Sequence, residues 1–345
     1  LRGGGVIPAL HAVSSIMRLM LLCLFALALS AAEPWSEKMT ITAGTSSDLT
    51  LTLADGTTAT MRVYHPGIPS LEAYPVVIFS HGLAGSKEGY DFLGKLWANH
   101  GYVSIHPDHP GSDTAAFRGK RLPEIGPALK AATQDPAILA GRPALVRKLI
   151  DALPQIQERL HGIILDRERI GIAGHSFGAW TTMQIAGMRG PLAGSRDGEW
   201  SDPRPKAFIA LSPNGPGVLN RDGELSHCTR PMLIMTGSDD RQPAVLSPAG
   251  VERSGAWRRQ TFDQLPPGEK MLAWFDGARH CTYSAGAGNI FIGEPPPDPA
   301  QVEAVAVITL AWWEACLRDD ASAKKWLADP ATPAWFGTWA KFEHR

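Results

Sequence analysis

The sequence predicts an α/β protein with a mostly parallel sheet and helices on both of its faces. Four apolar runs that do not alternate with polar residues occur at residues 75–80, 206–211, 231–235 and 270–275. Runs of this kind are typical of central strands that are covered on both faces. Helix-forming segments recur between strands along the chain, and such alternation favours a parallel sheet.

The first elements differ from this central pattern. Residues 39–65 alternate polar and apolar side chains around the turn pair Asp55-Gly56, which predicts an antiparallel hairpin at the start of the sheet. Residues 90–99 then form an amphipathic segment, and residues 102–106 form the next strand.

Helices dominate two long stretches. Residues 115–160 are predicted to be a helical insertion that prolines interrupt, and residues 142–160 carry apolar side chains at helical spacing. Residues 301–317 form a closing helix.

Length and composition indicate one globular domain, predicted over residues 33–345. The chain has 345 residues, of which 44% are hydrophobic and 19% are charged, and its formal net charge is -1. A core of this size fits a single domain. Because no long basic run occurs, nothing indicates nucleic acid or an anionic membrane as a partner.

Residues 1–32 are predicted to lie outside the fold, as an upstream segment and a signal peptide. The pair Met17-Arg18 precedes the apolar residues 19–29, and small residues follow at positions 30–32. This pattern predicts a secreted or periplasmic protein, with no stable membrane span after cleavage of residues 17–32. An N-terminal anchor helix is the alternative.

Three cysteines remain after such cleavage, namely Cys228, Cys281 and Cys316. In an exported protein one pair of them can form a disulfide. Spacing leaves all three pairings open. Cys281 with Cys316 is preferred, because the loop after Cys281 leads back to the helix that carries Cys316.

The pentapeptide GHSFG at residues 174–178 joins a strand to a helix through an abrupt turn. A serine on such a turn has a strained backbone and needs glycines two residues away on either side. Its hydroxyl would project at the N-terminus of the next helix, where negative charge is favoured. Ser176 is therefore the predicted nucleophile.

A serine hydroxyl needs a base that removes its proton and an acid that orients the base. His280 follows the last strand and Asp240 follows the strand at residues 231–235, so the order serine, acid, histidine matches enzymes of this architecture. Asp239 and Asp276 are alternative acids. Asp240 is preferred because a glycine precedes it by three positions, and Asp276 is interpreted as a turn former.

The oxyanion that forms when a serine attacks a carbonyl needs backbone N–H donors aimed at it. The turn supplies the N–H group of Phe177, and the loop after the strand at residues 75–80 supplies that of Leu83. This chemistry requires no cofactor.

Other side chains near these motifs are candidates for the substrate cleft: His81, His109, His175, Trp180 and Met183. The loop that contains His109 also contains His106, Asp108 and Asp113, a combination that could bind a metal. Because prolines constrain this loop and no second ligand cluster appears, no metal site is predicted.

Five motifs together resemble a known family. They are FSHGLAGS, ANHGYVSIHPDHPGSD, GHSFGA, MTGSDD and DGARH, beginning at residues 79, 98, 174, 235 and 276. They resemble the α/β-hydrolase superfamily, in particular the predicted dienelactone hydrolase and platelet-activating-factor acetylhydrolase-like group, over about residues 75–326. The resemblance implies an eight-stranded core, the triad Ser176, Asp240 and His280, and oxyanion donors at Leu83 and Phe177.

Two features depart from this group. Dienelactone hydrolases use a cysteine nucleophile where this chain has Ser176, and the animal acetylhydrolases take their acid from the preceding strand end, where this chain has Ser212-Pro213-Asn214. Neither substrate is therefore carried over. The resulting hypothesis is a secreted serine carboxylic-ester hydrolase that needs no cofactor or metal and acts on a small-molecule or polymeric ester.

Two alternatives stay open. A cutinase-like polyester hydrolase or an acetylhydrolase would use the same mechanism on a different substrate. A non-catalytic binding module with the same fold is an alternative of another class.

Overall fold

Nine strands hydrogen-bond into one sheet in the described part of the chain. The computed structural model describes residues 43–69, 71–189, 200–243, 246–247, 253–287 and 294–345, so the predicted signal peptide lies outside the described residues. In chain order, the strands are β1 (Gly44–Thr52), β2 (Thr58–Pro66), β3 (Tyr74–Ser80), β4 (Val103–Pro107), β5 (Leu165–His175), β6 (Ala207–Leu211), β7 (Met232–Asp239), β8 (Lys270–Arg279) and β9 (Ala340–His344). Their order across the sheet is β1-β2-β4-β3-β5-β6-β7-β8-β9.

The sheet is parallel at its centre and antiparallel at both ends. The strands from β4 to β8 pair in parallel, whereas β1 with β2, β2 with β4 and β8 with β9 pair antiparallel. The predicted α/β fold is confirmed. β9 is a further strand beyond the eight that the resemblance implied. Its sequence, AKFEH, contains no apolar run because it is an edge strand that pairs only with β8.

Ten helices accompany the sheet in the described residues. They are α1 (Asp91–Asn99), α2 (Thr114–Phe117), α3 (Leu122–Ala132), α4 (Pro136–Asp151), α5 (Leu153–Arg159), α6 (Phe177–Ala186), α7 (Gly255–Asp263), α8 (Pro299–Leu317), α9 (Ala321–Ala328) and α10 (Thr332–Phe336). The stretch predicted to be a helical insertion contains α2 to α5. Pro123, Pro136 and Pro154 lie in the first turns of α3, α4 and α5, where a helix does not need the missing N–H group.

The core lies on both faces of the central strands. β4, β6 and α6 are buried along their whole length. α8 is the one described helix that is long and apolar enough to cross a membrane, and 67% of its most apolar window is buried. A Cβ atom on Gly171 of β5 would lie 2.6 Å from the Trp313 ring of α8. Close packing on the sheet thus accounts for the apolar composition of this helix.

The preferred disulfide is wrong, because all three described cysteines are unpaired. The Cys281 thiol donates to the Pro295 carbonyl oxygen at 3.6 Å. Cys316 instead lines a cavity of about 450 Å³ between α8, α9 and the start of β8, together with Lys270 and Lys324. The two sulfur atoms therefore face different surroundings.

Candidate active site

Four loops meet at the carboxyl edge of the central strands. β3 leads to Leu83, β5 to Ser176, β7 to Asp240 and β8 to His280. Neighbouring parallel strands end at the same edge of a sheet, and α/β proteins bind their ligands there. The strand order therefore brings residues that are distant in sequence into one site.

Ser176 lies on a strained turn between β5 and α6. Its φ is 54° and its ψ is -114°, a backbone conformation that residues with a side chain rarely adopt. Two glycines make the turn possible. A Cβ atom at Gly174 would lie 2.3 Å from the Gly178 carbonyl oxygen, and one at Gly178 would lie 1.8 Å from that of Ser80. The turn presents a partly exposed serine at the N-terminus of α6.

Ser176, His280 and Asp240 form a hydrogen-bonded series. The Ser176 hydroxyl lies 3.0 Å from His280 Nε2, and His280 Nδ1 lies 3.0 Å from Asp240 Oδ1. Because Nδ1 donates its proton to the carboxylate, Nε2 is the ring nitrogen that accepts from the hydroxyl. The imidazole is thus oriented to remove the proton of Ser176.

The two alternative acids do not reach the imidazole. Asp239 is exposed and accepts a hydrogen bond from the neighbouring Ser238 at 3.1 Å. Asp276 accepts hydrogen bonds from Trp274 and Lys341, at 2.8 and 2.6 Å.

Asp240 is a fully buried carboxylate that several donors hold. The Thr236 hydroxyl donates to Oδ2 at 2.9 Å, the Ser212 hydroxyl donates to Oδ1 at 2.9 Å, and Arg258 Nε lies 2.9 Å from Oδ1. Burial alone would raise the pKa of Asp240. The charge of Arg258 and the hydrogen bonds from His280 and Ser212 outweigh burial, so the pKa lies below its usual value and the group is ionised.

Leu83 and Phe177 carry the N–H groups predicted to bind an oxyanion. Neither group donates a hydrogen bond to another described residue. The Phe177 N–H belongs to the first residue of α6, where helices have N–H groups without intrahelical partners. That the two groups bind an oxyanion stays a prediction.

The loop that carries Leu83 is held from behind by buried side chains. His81 Nδ1 donates to the Gly82 carbonyl oxygen at 2.7 Å, because His81 Nε2 accepts from the His109 N–H group at 3.1 Å. The Tyr90 hydroxyl accepts from the Gly82 N–H group at 3.2 Å. These bonds fix the backbone on either side of Gly82.

Arg142 of α4 is a buried cation that ties this loop to α6. Its guanidinium donates to the His81 carbonyl oxygen, to Ser112 Oγ at 2.7 Å and to Thr181 Oγ1 at 3.0 Å. It also lies 4.5 Å from the centre of the Phe177 ring. Burial lowers the pKa of Arg142 to about 9, which leaves it charged at neutral pH. Its charge favours negative charge on this side of the site.

The five other side chains predicted to line the cleft are buried. Each of them is at most 4% exposed and belongs to the layer beneath the site: His81, His109, His175, Trp180 and Met183. Trp180 and Met183 join the main hydrophobic core, and Trp180 Nε1 donates to the Leu219 carbonyl oxygen at 2.9 Å. Every residue of α6 is buried, so nearness to Ser176 in sequence does not bring a side chain into a cleft.

His175 supports the site from below. The Tyr90 hydroxyl and His175 Nδ1 lie 2.8 Å apart, and His175 Nε2 lies 3.2 Å from the His280 carbonyl oxygen. The rings of His175 and His280 are 4.6 Å apart. His175 therefore holds the backbone of the base, and it does not contact the Ser176 hydroxyl.

The side chains of the alternative metal site do not converge. His106 shares a hydrogen bond with Ser104 at 2.7 Å, Asp108 accepts from Thr60 at 3.0 Å, and Asp113 caps the N-terminus of α2. No group of three or more potential metal ligands occurs among the described residues.

Ser212 and Arg258 are site residues that sequence reasoning missed. Ser212 Oγ lies 2.7 Å from His280 Nδ1, so the serine contacts both the base and the acid. Its place just after the strand β6 is the signal that could have found it. Nothing in the sequence distinguishes Arg258 from the adjacent Arg259, which is half-buried and pairs with Glu343.

A serine hydroxyl in contact with an imidazole that a buried carboxylate orients, at the carboxyl edge of an α/β sheet, defines a site that can hydrolyse an acyl compound. Comparison with known proteins points to the same class. A family model described as the alpha/beta hydrolase family matches residues 77–344. The chain belongs to this family.

Curated relatives are more distant. The chain is similar to the platelet-activating factor acetylhydrolases of Bos taurus (27% identity, 37% of this chain and 35% of the relative), Cavia porcellus (28%, 44% and 41%) and Canis lupus familiaris (25%, 37% and 35%). The matches thus span at most 41% of these relatives.

Proposed function

We propose that the protein is a serine carboxylic-ester hydrolase. The observation that carries this proposal is the hydrogen-bonded series in which Ser176 Oγ lies 3.0 Å from His280 Nε2 and His280 Nδ1 lies 3.0 Å from Asp240. A base in contact with a serine, itself oriented by a buried carboxylate, is the arrangement that activates a hydroxyl for nucleophilic attack. The N–H groups of Leu83 and Phe177 complete the proposed site.

The reaction would proceed through an acyl enzyme. Ser176 Oγ bonds to the ester carbonyl carbon while His280 Nε2 takes the hydroxyl proton, and the carbonyl electron pair moves onto the oxygen. The N–H groups of Leu83 and Phe177 stabilise this oxyanion. Its collapse breaks the bond to the alcohol, which leaves with the proton from His280. Water, deprotonated by His280, then releases the carboxylic acid and restores Ser176.

Hydrolysis of p-nitrophenyl esters tests the proposal. We expect the purified protein to release p-nitrophenol and to be labelled at Ser176 by a fluorophosphonate. Ser176→Ala should lose both properties, and chelators should leave the rate unchanged. Activity that survives Ser176→Ala would contradict the mechanism. A lack of activity on every ester, with no labelling, would favour the non-catalytic binding module.

The acyl group of the substrate is a separate part of the proposal. Similarity to three proteins named acetylhydrolases favours a short acyl chain. We expect the ratio kcat/KM to be highest for the acetate ester in a series of acetate, butyrate, octanoate and laurate. A maximum at the long chains, with release of products from a soluble polyester, would instead support the cutinase-like alternative.

Export is proposed from the sequence of residues 17–32. A reporter enzyme that needs an oxidising compartment, fused after Ala32, would be active only if this segment directs export. Replacement of apolar residues in the segment by arginine should abolish the reporter signal. A reporter that stays inactive with the unchanged segment would contradict export.

A further inference from the structure

Arg258 is a buried cation in direct contact with the proposed acid of the site. It lies on α7, its side chain is 1% exposed, and its Nε atom lies 2.9 Å from Asp240 Oδ1. Asp240 itself is 0% exposed. A chain of three contacts therefore runs from the guanidinium through the carboxylate to the imidazole and on to Ser176.

The same guanidinium also fixes the backbone around the carboxylate. Nε donates to the Asp240 carbonyl oxygen at 3.0 Å, and Nη1 donates to those of Ser212 and Pro213 at 3.1 and 2.9 Å. These carbonyls belong to the loops that follow β6 and β7. One side chain thus joins the two loops from which Ser212 and Asp240 reach His280.

The helix that carries Arg258 can approach this closely because it begins with glycine. A Cβ atom on Gly255 would lie 1.8 Å from the carbonyl oxygen of Gly237, near the end of β7. The start of α7 therefore packs backbone to backbone against the end of β7. This close packing fixes α7 against β7, and it thereby fixes the backbone position from which Arg258 reaches Asp240.

A second arginine shows what a purely structural clamp looks like in this protein. Arg230 donates to the carbonyl oxygens of Asp202, Pro205, Ile185 and Ala186, and it stacks on the Phe208 ring. It contacts none of the residues of the hydrogen-bonded series. An arginine can therefore hold several backbone carbonyl groups in this protein without contacting a buried carboxylate. Binding of carbonyl groups alone does not explain why Arg258 contacts Asp240.

The reason lies in the cost of a buried charge. An ionised carboxylate without water or a countercharge is strongly disfavoured and takes up a proton instead. A protonated acid could not orient the imidazole or stabilise its positive charge during the reaction. The guanidinium supplies the countercharge: its Nε atom contacts Asp240 Oδ1, and its Nη1 atom holds the backbone carbonyls of Ser212 and Pro213.

We propose that Arg258 is a positioning residue of the ester hydrolysis: it keeps Asp240 ionised and aimed at His280, and it thereby sets the lowest pH at which His280 works as a base. This inference rests on the proposed function. Arg258 does not touch the substrate and acts only through Asp240 and the loops around it.

The direction of the pH effect follows from charge alone. Asp240 and His280 are in contact, so they take up a proton as a pair. Arg258 is a positive charge beside that pair and opposes the uptake, whichever of the two groups receives the proton. Removal of this charge makes protonation easier. The acid limb of the pH–rate profile then moves to higher pH.

Other titratable groups surround the pair and stay in place in the test. His175 stacks beside the imidazole, and the buried Tyr283 interacts electrostatically with the carboxylate. Arg253 and Glu294 act on the guanidinium, with opposite signs. None of them supplies a second cation in contact with the carboxylate among the described residues.

The experiment compares Arg258→Gln, Arg258→Lys and the control Arg230→Gln. Each variant is assayed for p-nitrophenyl acetate hydrolysis between pH 4 and 9, and its melting temperature is measured. For Arg258→Gln we expect a roughly tenfold lower kcat with little change in KM, and a midpoint of the acid limb about one pH unit higher. Arg258→Lys keeps the charge and should keep the midpoint near the wild-type value. Arg230→Gln should lower the melting temperature and leave the midpoint unchanged.

Two further measurements separate positioning from general stability. In the Asp240→Asn background, Arg258→Gln should have little additional effect on kcat, because Arg258 acts through the Asp240 carboxylate and this variant lacks that carboxylate. NMR titration of the His280 imidazole, assigned with His280→Gln, needs no substrate and should show the same upward shift. If Arg258→Gln does not fold, Arg258→Lys and the NMR titration of that variant carry the test.

The inference is overturned if wild-type activity depends on Ser176 and the midpoint of Arg258→Gln stays at the wild-type value. It is also overturned if Arg258→Lys shifts the midpoint as far as Arg258→Gln does, or if Arg258→Gln costs the same factor with and without Asp240. Failure of the proposed function looks different, because the wild-type protein would then hydrolyse no ester at all.

Discussion

At the scale of single residues, the site depends on one carboxylate that has no access to water. Asp240 accepts hydrogen bonds from Thr236, Ser212 and His280 and pairs with Arg258. Each of these donors lowers the free-energy cost of burying the negative charge of Asp240. The adjacent Asp239 is exposed and contacts none of them, so the pair offers a matched comparison.

Asp240→Asn tests the acid. An amide keeps the shape of the side chain but favours the wrong tautomer of the imidazole, so we expect kcat to fall about ten-thousand-fold while the fold persists. Asp239→Asn should change kcat less than twofold. The measurement is the initial rate on p-nitrophenyl acetate at pH 8. A large loss in Asp239→Asn with an active Asp240→Asn would mean that the neighbouring carboxylate is the acid.

Ser212→Ala tests the residue that contacts both the acid and the base. Its hydroxyl lies 2.9 Å from Asp240 Oδ1 and 2.7 Å from His280 Nδ1, and its φ of 49° directs it there. Loss of these bonds should cost about 1.4 kcal/mol of transition-state stabilisation, or a tenfold lower kcat, with KM nearly unchanged. Ser226→Ala, on an exposed serine, is the control. An unchanged kcat in Ser212→Ala would restrict this serine to a structural role.

The sequence could predict only some of these residues. Ser176 belongs to a local pattern, and Asp240 and His280 follow strands in a recognisable order, so all three could be proposed before the structure. Ser212 and Arg258 gain their role from contacts with Asp240, which is 28 and 18 positions away. The place of Ser212 at a strand end is a weak signal, and Arg258 has none. Contacts of this kind are visible only when the sheet has been assembled.

At the scale of elements, the junction of β5 and α6 leaves no room for side chains at its two glycines. The main chain of the turn approaches β3 so closely that neither Gly174 nor Gly178 could carry a Cβ atom without a clash. Apolar runs predicted the strands around this junction because both faces of the sheet are covered. The same logic failed for β9, a polar edge strand, and for the side chains of α6, because a helix that is buried on all sides shows no amphipathic pattern.

Gly178→Ala tests this close approach. The added methyl group would lie 1.8 Å from the Ser80 carbonyl oxygen, so the turn must shift or the protein must lose stability, by about 3 kcal/mol or more. Gly141→Ala in α4 is the matched control. No atom lies within 4 Å of its added Cβ, and alanine should stabilise the helix by about 0.5–1 kcal/mol. Urea unfolding measures both changes. Equal stability of the two variants would contradict the described turn.

At the scale of the whole molecule, the layer beneath the site contains several histidines that the fold keeps neutral. Burial, together with the charge of Arg142, lowers the pKa of His81 to about 3, and burial together with the charge of Arg62 lowers the pKa of His106 to about 3. Burial also holds the pKa values of His109 and His175 well below the usual value. The fold is therefore more stable while these rings are uncharged.

This layer predicts how stability depends on pH. An unfolded histidine takes up a proton below a pKa of about 6.5, whereas these native rings stay neutral to far lower pH. Since the unfolded state binds more protons in this window, stability is full above about pH 6.5 and falls as the pH is lowered. For a native pKa of about 3, the loss at pH 5 is roughly 2 kcal/mol for each ring of His81 and His106.

His106→Phe tests the prediction with one ring at a time. The phenyl ring fits the existing contact with Phe79, whose ring centre lies 5.1 Å from that of His106, and it has no proton to gain. Between pH 7 and pH 5, the variant should lose about 2 kcal/mol less free energy of unfolding than the wild type in urea titrations. His161→Gln, on an exposed histidine, should keep the wild-type slope. If His106→Phe loses as much stability as the wild type over this range, the ring at position 106 is not held neutral, and the acid sensitivity of the fold must come from other groups.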